Sequence, residues 1–206
     1  EDFNDAILRA VRFNAQGITV HPPKIKKNIF KGDVVDKFVD FYVEVFSNSP
    51  PYFMCKSGCS SGGKNPKKDN LKNDCYDWFA EYLAHVTEYM NNTLNIKVSS
   101  ISPMNEPNTD FWHLNSEKQE GCHFDCGESQ NRIILATHKA IRDRKINYIE
   151  IVASDETDTG KALLAYKKYT DEVKNIIDRI STHTYITRRI AALGKLMKAE
   201  NRNLWM

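Results

Sequence analysis

The sequence has 206 residues, which favours one domain or a little more and suffices for a sizeable core. Hydrophobic residues make up 41% and charged residues 27%, a balance that excludes the disordered and coiled-coil classes. With 29 Lys and Arg against 27 Asp and Glu, the net charge of +2 gives no reason to expect a nucleic-acid partner. No apolar run approaches the roughly 18 residues that a bilayer requires, so we expect no membrane span.

Helices and strands are predicted to alternate along the chain. Apolar side chains recur at helical spacing in the helical segments, and the strand segments are short and rich in β-branched and aromatic residues. In chain order we predict a helix over 6–13, a loop over 20–32, a strand over 41–46, a helix over 69–90 capped by Asp69, a strand over 96–101, a helix over 128–144, a strand over 148–153, helices over 161–168 and 171–178, a strand over 180–185, a helix over 187–200 and a strand from 203.

This alternation predicts an α/β fold with a parallel sheet, because helices of this length connect parallel strands by crossovers. Two parallel architectures compete, a doubly wound open sheet and a (β/α)8 barrel. A doubly wound nucleotide-binding sheet needs a glycine-rich phosphate loop, but none of the 9 glycines forms GxGxxG or GxxxxGK[ST]. Nucleotide binding therefore has no support, and we expect no cofactor.

Polar residues follow four successive predicted strands, at the point where each strand ends. They are Ser47-Asn48-Ser49, Asn105-Glu106, Ser154-Asp155-Glu156, and His183 with Tyr185. Loops after strands are often polar without any function, but four such clusters in succession favour an active site on one face of a parallel barrel. Carboxylates with Asn, His and Tyr fit glycoside hydrolysis, in which two carboxylates flank the scissile bond.

The segment Asn105-Glu106-Pro107 resembles the Asn-Glu-Pro signature of the retaining glycosidase clan of (β/α)8 barrels. Within that clan, five blocks in order resemble glycoside hydrolase family 30, in particular its endo-β-1,6-galactanase-like branch. The blocks are FSNSPPYFM at 46–54, SPMNEP at 102–107, QEGCHF at 119–124, ASDET at 153–157 and THTY at 182–185. The resemblance covers the chain from Phe46 to Met206, and residues 1–40 add little to it.

The resemblance implies catalytic and substrate-binding roles. Glu106 would be the general acid/base, which protonates the leaving oxygen and later deprotonates water. Asn105 would donate to the sugar 2-hydroxyl, and the other substrate-binding candidates are Asn48, Tyr52, Trp112, His183 and Tyr185. The alternatives are a surface acid between two prolines for Glu106, a buried core histidine for His183, and loop-anchoring aromatic residues for Tyr52 and Trp112.

The resemblance also implies what the whole enzyme does. It would be a secreted, extracellular retaining endo-glycosidase that hydrolyses β-linked galactan, with β-1,6 favoured, by double displacement and without a metal. Xylan or β-glucan as substrate, and a non-catalytic carbohydrate-binding protein on the same fold, remain alternatives. The partner is a polysaccharide or oligosaccharide, and the sequence indicates no oligomeric state.

The chain departs from the family at its end. In the family the seventh strand continues into Ser-Glu, whose Glu is the nucleophile, whereas this sequence stops at Met206. We therefore interpret residues 1–206 as a partial (β/α)8 catalytic domain with about five of eight strands, lacking the early strands and the eighth. The nucleophile is expected beyond Met206.

The cysteines allow a second type of site. Two CxxxC pairs, Cys55 with Cys59 and Cys122 with Cys126, lie near His123 and are compatible with a structural zinc ion, a weaker hypothesis than the absence of a metal. A disulfide between the two loops is a comparable alternative. Because the chain has 5 cysteines, at least one thiol stays unpaired within it.

Overall fold

The computed structural model describes the backbone of Ile18–His21 and residues 42–206 in full. Six strands form one sheet, and five α-helices lie among the described residues. The elements are β1 (Ile18–His21), β2 (Tyr42–Phe46), a 3-10 turn (Tyr52–Met54), α1 (Tyr76–Asn92), β3 (Val98–Ser102), α2 (Glu128–Asp143), β4 (Glu150–Glu156), α3 (Thr159–Lys168), α4 (Asp171–Ile176), β5 (Arg179–Thr182), α5 (Ile190–Ala199) and β6 (Asn203–Trp205).

The strands follow one another in the sheet in chain order, from β1 to β6. From β2 onward every neighbouring pair is parallel, and helices connect consecutive parallel strands. This confirms the predicted α/β class and the parallel sheet. The parallel arrangement also brings the carboxyl ends of β2 to β5 to one edge, with Phe46 opposite Ser102 and Glu156 opposite Thr182.

The first strand corrects the predicted loop over residues 20–32. β1 is antiparallel to β2, and its Val20 lies opposite Val43. The segment has no hydrophobic period of its own, so its strand conformation comes from pairing with β2, a long-range interaction that local sequence does not show. The rest of that loop and the predicted helix over 6–13 lie outside the described residues.

The core lies between the sheet and the helices. The helices α1 and α2 pack against each other and place fully buried side chains such as Phe79, Ile133 and Ile134 beneath the sheet. Ile101 and Ile151, from adjacent parallel strands, are also fully buried, as expected for strands covered by helices. Among the described residues no helix combines the length and apolar character that crossing a membrane requires.

The predicted cap of the long helix is wrong. The helix α1 begins at Tyr76, not near Asp69. The Asp69 carboxylate instead accepts hydrogen bonds from the backbone N–H of Asp125, at 2.5 Å, and from the Ser129 hydroxyl. The segment before α1 is therefore part of a loop layer that joins the residues after β2 to the start of α2.

A charged side chain is buried at the sheet. Arg179 on β5 is 1% exposed and pairs with Glu44 on β2, while its guanidinium stacks 3.7 Å from the ring centroid of Trp205 on β6. Its Nε and Nη1 atoms are buried and have no hydrogen-bond partner in the part of the chain that the structure describes. The Arg179 side chain thus contacts residues of both β2 and β6 from its place on β5.

Candidate active site

The loops after β2, β3, β4 and β5 are joined by backbone hydrogen bonds at the carboxyl edge of the sheet. Ser47 N donates to Ser102 O at 3.2 Å, Glu106 N donates to Asp155 O at 2.8 Å, and His183 N donates to Glu156 O at 2.7 Å. The four polar clusters expected from the sequence therefore form one edge. A site built there is fixed by main-chain contacts rather than by flexible side chains.

Glu106 is the carboxylate at the centre of this edge. It is 6% exposed and its backbone has φ = 46°, in the left-handed region that non-glycine residues rarely adopt. Its amide N–H is bound by Asp155 O, and its carbonyl accepts from Trp112 Nε1 at 3.0 Å. Asp155 also has a positive φ, 52°. Such backbone conformations persist where the surroundings fix them, and they concentrate at functional sites.

His183 connects two carboxylates across the site. Its Nδ1 lies 2.8 Å from Glu106 Oε1, and its Nε2 lies 3.6 Å from Asp155 Oδ2. The Asp155 carboxylate, and after it the Glu106 carboxylate, raise the pKa of His183 from its ordinary 6.5 to about 10. The imidazole is therefore charged at neutral pH, and Glu106 carries a cationic partner in direct contact.

The structure corrects the predicted role of Trp112. Its side chain is 2% exposed, and an added Cβ on Gly121 would meet its ring at 2.0 Å, so the ring is covered by the loop over residues 119–121. A sugar cannot stack on a covered ring. Trp112 instead anchors the loop and fixes the Glu106 carbonyl, which is the alternative role that the sequence allowed.

The other predicted substrate-binding residues differ in accessibility. Tyr52 and Tyr185 are 63% and 74% exposed, and the Tyr185 ring lies 5.3 Å from that of His183. Asn105, beside Glu106, is 5% exposed, and Asn48 after β2 is partly buried. The two tyrosines thus offer free ring faces at the edge, whereas Asn105 is part of the packed turn that carries Glu106.

The burial of Glu156 was not predicted from the sequence, which placed it among the polar residues at a strand end. Its side chain is fully buried and accepts from Asn108 N at 3.2 Å and Gln130 Nε2 at 3.3 Å. Burial raises its pKa to about 7. A buried carboxylate cannot reach a sugar, so Glu156 is no candidate nucleophile, although its place directly after Asp155 suggests one.

The described residues do not assemble the cysteine and histidine set of a zinc site. All five cysteines, which lie within residues 42–206, are present as free thiols, and Cys55 and Cys122 are buried. The group of metal-ligating side chains found there is Asp69, His123 and Asp125. The nitrogens of His123 already contact Thr109 O and Asp125 Oδ1, at 2.9 and 3.0 Å, so this group is a hydrogen-bonded loop cluster.

Comparison with known proteins identifies the family. Residues 31–200 match the model of O-Glycosyl hydrolase family 30. The chain belongs to this family. Two curated relatives are an endo-beta-1,6-galactanase from Hypocrea rufa, 30% identical over 142 residues, and an exo-beta-1,6-galactobiohydrolase from Bifidobacterium longum subsp. longum, 25% identical over 204 residues.

The family 30 chain covers only part of these relatives. The matches span 69% and 80% of this chain but 29% and 13% of the two relatives. A solved structure, a conserved exported protein from Bacteroides fragilis, matches with a TM-score of 0.61 and 26% identity over 73% of this chain and 33% of its own. Family 30 enzymes of known structure share the fold at lower identity. The parallel sheet is therefore a partial (β/α)8 barrel.

Contact between Gly121 and the Trp112 ring gives a first prediction. Gly121→Ala in the full-length protein forces the indole away and destabilises the fold by about 1–3 kcal/mol, the usual cost of overpacking. Gly194→Ala in α5 is the matched control, because an added Cβ there meets nothing within 4 Å. Thermal unfolding of both variants checks this; equal melting temperatures would show that the loop moves freely.

The His183 ion pairs predict how stability depends on pH. Because the pKa of His183 is raised from 6.5 to about 10 in the folded state, its stabilisation is complete below pH 6.5 and is lost as pH rises to about 10. His183→Asn in the full-length protein should therefore cost on the order of 1 kcal/mol at pH 6, because the ring is partly exposed to water, and less at pH 10.

Melting temperatures of wild type and variant across pH 6–10 provide the measurement, with the exposed His113→Asn as control. A difference between His183→Asn and wild type that stays constant over this range contradicts the charged state of His183.

Proposed function

We propose that this chain is part of a retaining endo-glycosidase that hydrolyses β-linked galactan, with β-1,6-galactan as the favoured substrate. The observation that carries the proposal is the setting of Glu106. It lies after β3 beside Asn105, fixed through its own N–H and C=O, and its carboxylate contacts His183 at 2.8 Å. Both curated relatives are named for action on β-1,6-linked galactose chains, which supports the linkage.

Glu106 supplies the acid/base step of the proposed reaction. Once it carries a proton, Glu106 acts as an acid and protonates the glycosidic oxygen as the bond breaks. As the resulting carboxylate it then acts as a base and takes the proton of the water that releases the sugar. His183 Nδ1 fixes the orientation of its carboxyl group. In double displacement a second carboxylate forms the glycosyl intermediate at about 5–5.5 Å from the acid/base, and we propose that it comes from outside these 206 residues.

The remaining assignments follow the same proposal. Asn105 contacts the sugar 2-hydroxyl, Tyr52 and Tyr185 present their exposed rings to sugars, and Asn48 lines the same edge. The likeness to an exported bacterial protein supports an extracellular location, where polymeric galactan is accessible. No step in this scheme uses a cofactor.

Hydrolysis assays on the full-length protein test the function. We expect release of galactose oligomers from β-1,6-galactan, little activity on xylan and β-1,6-glucan, and products whose first anomer, observed by NMR, has retained configuration. Preferential cleavage of xylan or glucan would show that the protein is a family 30 enzyme with a substrate other than galactan. Binding of galactan without cleavage would favour a non-catalytic carbohydrate-binding protein.

A further inference from the structure

We propose that Glu156 is a positioning residue for Glu106, holding the acid/base turn and the His183 strand end in one arrangement. This inference rests on the proposed function, since it concerns the same acid/base step. The side chain of Glu156 does not touch the accessible edge. It acts from the buried side of the site, through hydrogen bonds to the backbone of the loops that form the accessible edge.

Glu156 connects two of the loops that form the site. Its Oε2 accepts from the backbone N–H of Asn108, two residues after Glu106, at 3.2 Å. Its backbone carbonyl accepts from His183 N at 2.7 Å and from the Thr182 hydroxyl at 3.1 Å. One residue therefore fixes both partners of the Glu106–His183 ion pair relative to each other.

The support behind Glu156 is itself fixed. Gln130 on α2 donates from Nε2 to Glu156 Oε1 and to Phe124 O, both at 3.3 Å, while its Oε1 accepts from the Tyr169 hydroxyl at 2.9 Å. Rotating the Gln130 amide by half a turn would lose all three contacts. Two N–H donors of fixed orientation therefore face Glu156, and only a group with two acceptor oxygens satisfies both.

A carboxylate at this position is costly for folding. The residue is 0% exposed, and burial raises its pKa to about 7, so the surroundings disfavour the charged form. The titratable and charged groups around it are Asp158, Lys161, Tyr169 and Cys126. The Lys161 charge lowers the pKa of Glu156 and the Asp158 charge raises it, but burial has the larger effect. What the carboxylate provides is the pair of accepted hydrogen bonds, one of which holds the turn that carries Glu106.

The experiment uses Glu156→Gln in the full-length protein and two substrates, the phenyl and the 2,4-dinitrophenyl glycosides of β-1,6-galactobiose. The Gln side chain has one acceptor oxygen and one NH2 group. One of the two donors that face it, Asn108 N or Gln130 Nε2, therefore meets an NH2 group, and we expect the turn that carries Glu106 to shift. The phenolate leaving group needs protonation by Glu106, whereas dinitrophenolate leaves without it. We expect kcat/KM to fall at least tenfold on the phenyl glycoside and less than threefold on the dinitrophenyl glycoside.

Two comparisons separate this role from a structural one. Partial unfolding lowers both activities equally, so the ratio of the two kcat/KM values reports positioning alone. The swap Glu156→Gln with Gln130→Glu places a carboxylate opposite the new amide and should restore at least half of the lost ratio. Glu150→Gln, on the same strand but at its other end, is the matched control and should leave the ratio unchanged.

The outcomes are distinct. An equal loss on both substrates, or no loss, overturns the positioning role while leaving the proposed function in place. Wild-type protein that hydrolyses neither substrate overturns the proposed function and this inference with it. A selective loss that the swap recovers supports the inference.

Discussion

Glu106→Gln in the full-length protein is expected to lower kcat on β-1,6-galactan by about 10²- to 10⁴-fold, the usual contribution of a positioned acid/base. Gln has the same shape and still accepts a hydrogen bond from His183, but it cannot give a proton to the leaving oxygen or take one from water. The backbone contacts of residue 106, to Asp155 O and Trp112 Nε1, do not depend on its side chain. The loss should therefore appear without a comparable fall in melting temperature.

The matched control is Glu117→Gln, an exposed carboxylate in the same loop between β3 and α2. It should retain wild-type turnover, because its side chain is exposed to solvent. Unchanged turnover of Glu106→Gln on polymeric galactan would remove Glu106 from the reaction, whatever the family resemblance implies.

The position of the site could be predicted from the sequence because it follows from topology. Parallel strands place their carboxyl ends at one edge, so Asn105-Glu106 and His183 had to lie together once β3 and β5 were recognised. The ion pair between Glu106 and His183, at 2.8 Å, is the consequence. Element bounds were less accurate, as β4 extends through Asp155 and Glu156 rather than ending before them.

What the sequence did not predict depends on contacts between distant residues. Trp112 is the kind of aromatic residue that can stack on a sugar ring. Its side chain is buried, however, because Gly121, nine positions later in an irregular loop, packs directly against it. From its position after a strand, Glu156 is expected to be a second carboxylate of the active site. In the structure the pairing of β4 with β5 is irregular at this point, and the Glu156 side chain points inward beside Gln130. Strand β1 has no periodic pattern, and only its pairing with β2 defines it.

The 206-residue chain expressed alone is expected to hydrolyse no galactan and to unfold without a cooperative transition. The described sheet has two edges, β1 and β6, whereas a closed barrel has none. At the second edge Trp205 is 39% exposed. Edge strands can pair with strands of other chains, so we expect aggregation to compete with folding.

A buried charged residue at this sheet also lowers the expected stability of the isolated chain. Arg179 is 1% exposed, and its Nε and Nη1 have no hydrogen-bond partner among the described residues. Each buried donor of this kind costs about 1–3 kcal/mol, a large part of the ~5–15 kcal/mol by which whole domains are stable.

We expect chemistry in the isolated chain to fail for a separate reason. Double displacement needs a nucleophilic carboxylate opposite Glu106, and Glu156 is too deeply buried to serve. Asp155 is the accessible alternative, but it faces the same imidazole as Glu106, with its Oδ2 3.6 Å from His183 Nε2. Galactan hydrolysis and calorimetry on the isolated chain are the measurements. A cooperative transition together with turnover would show that these residues contain the nucleophile, and Asp155→Asn would then be expected to abolish that turnover.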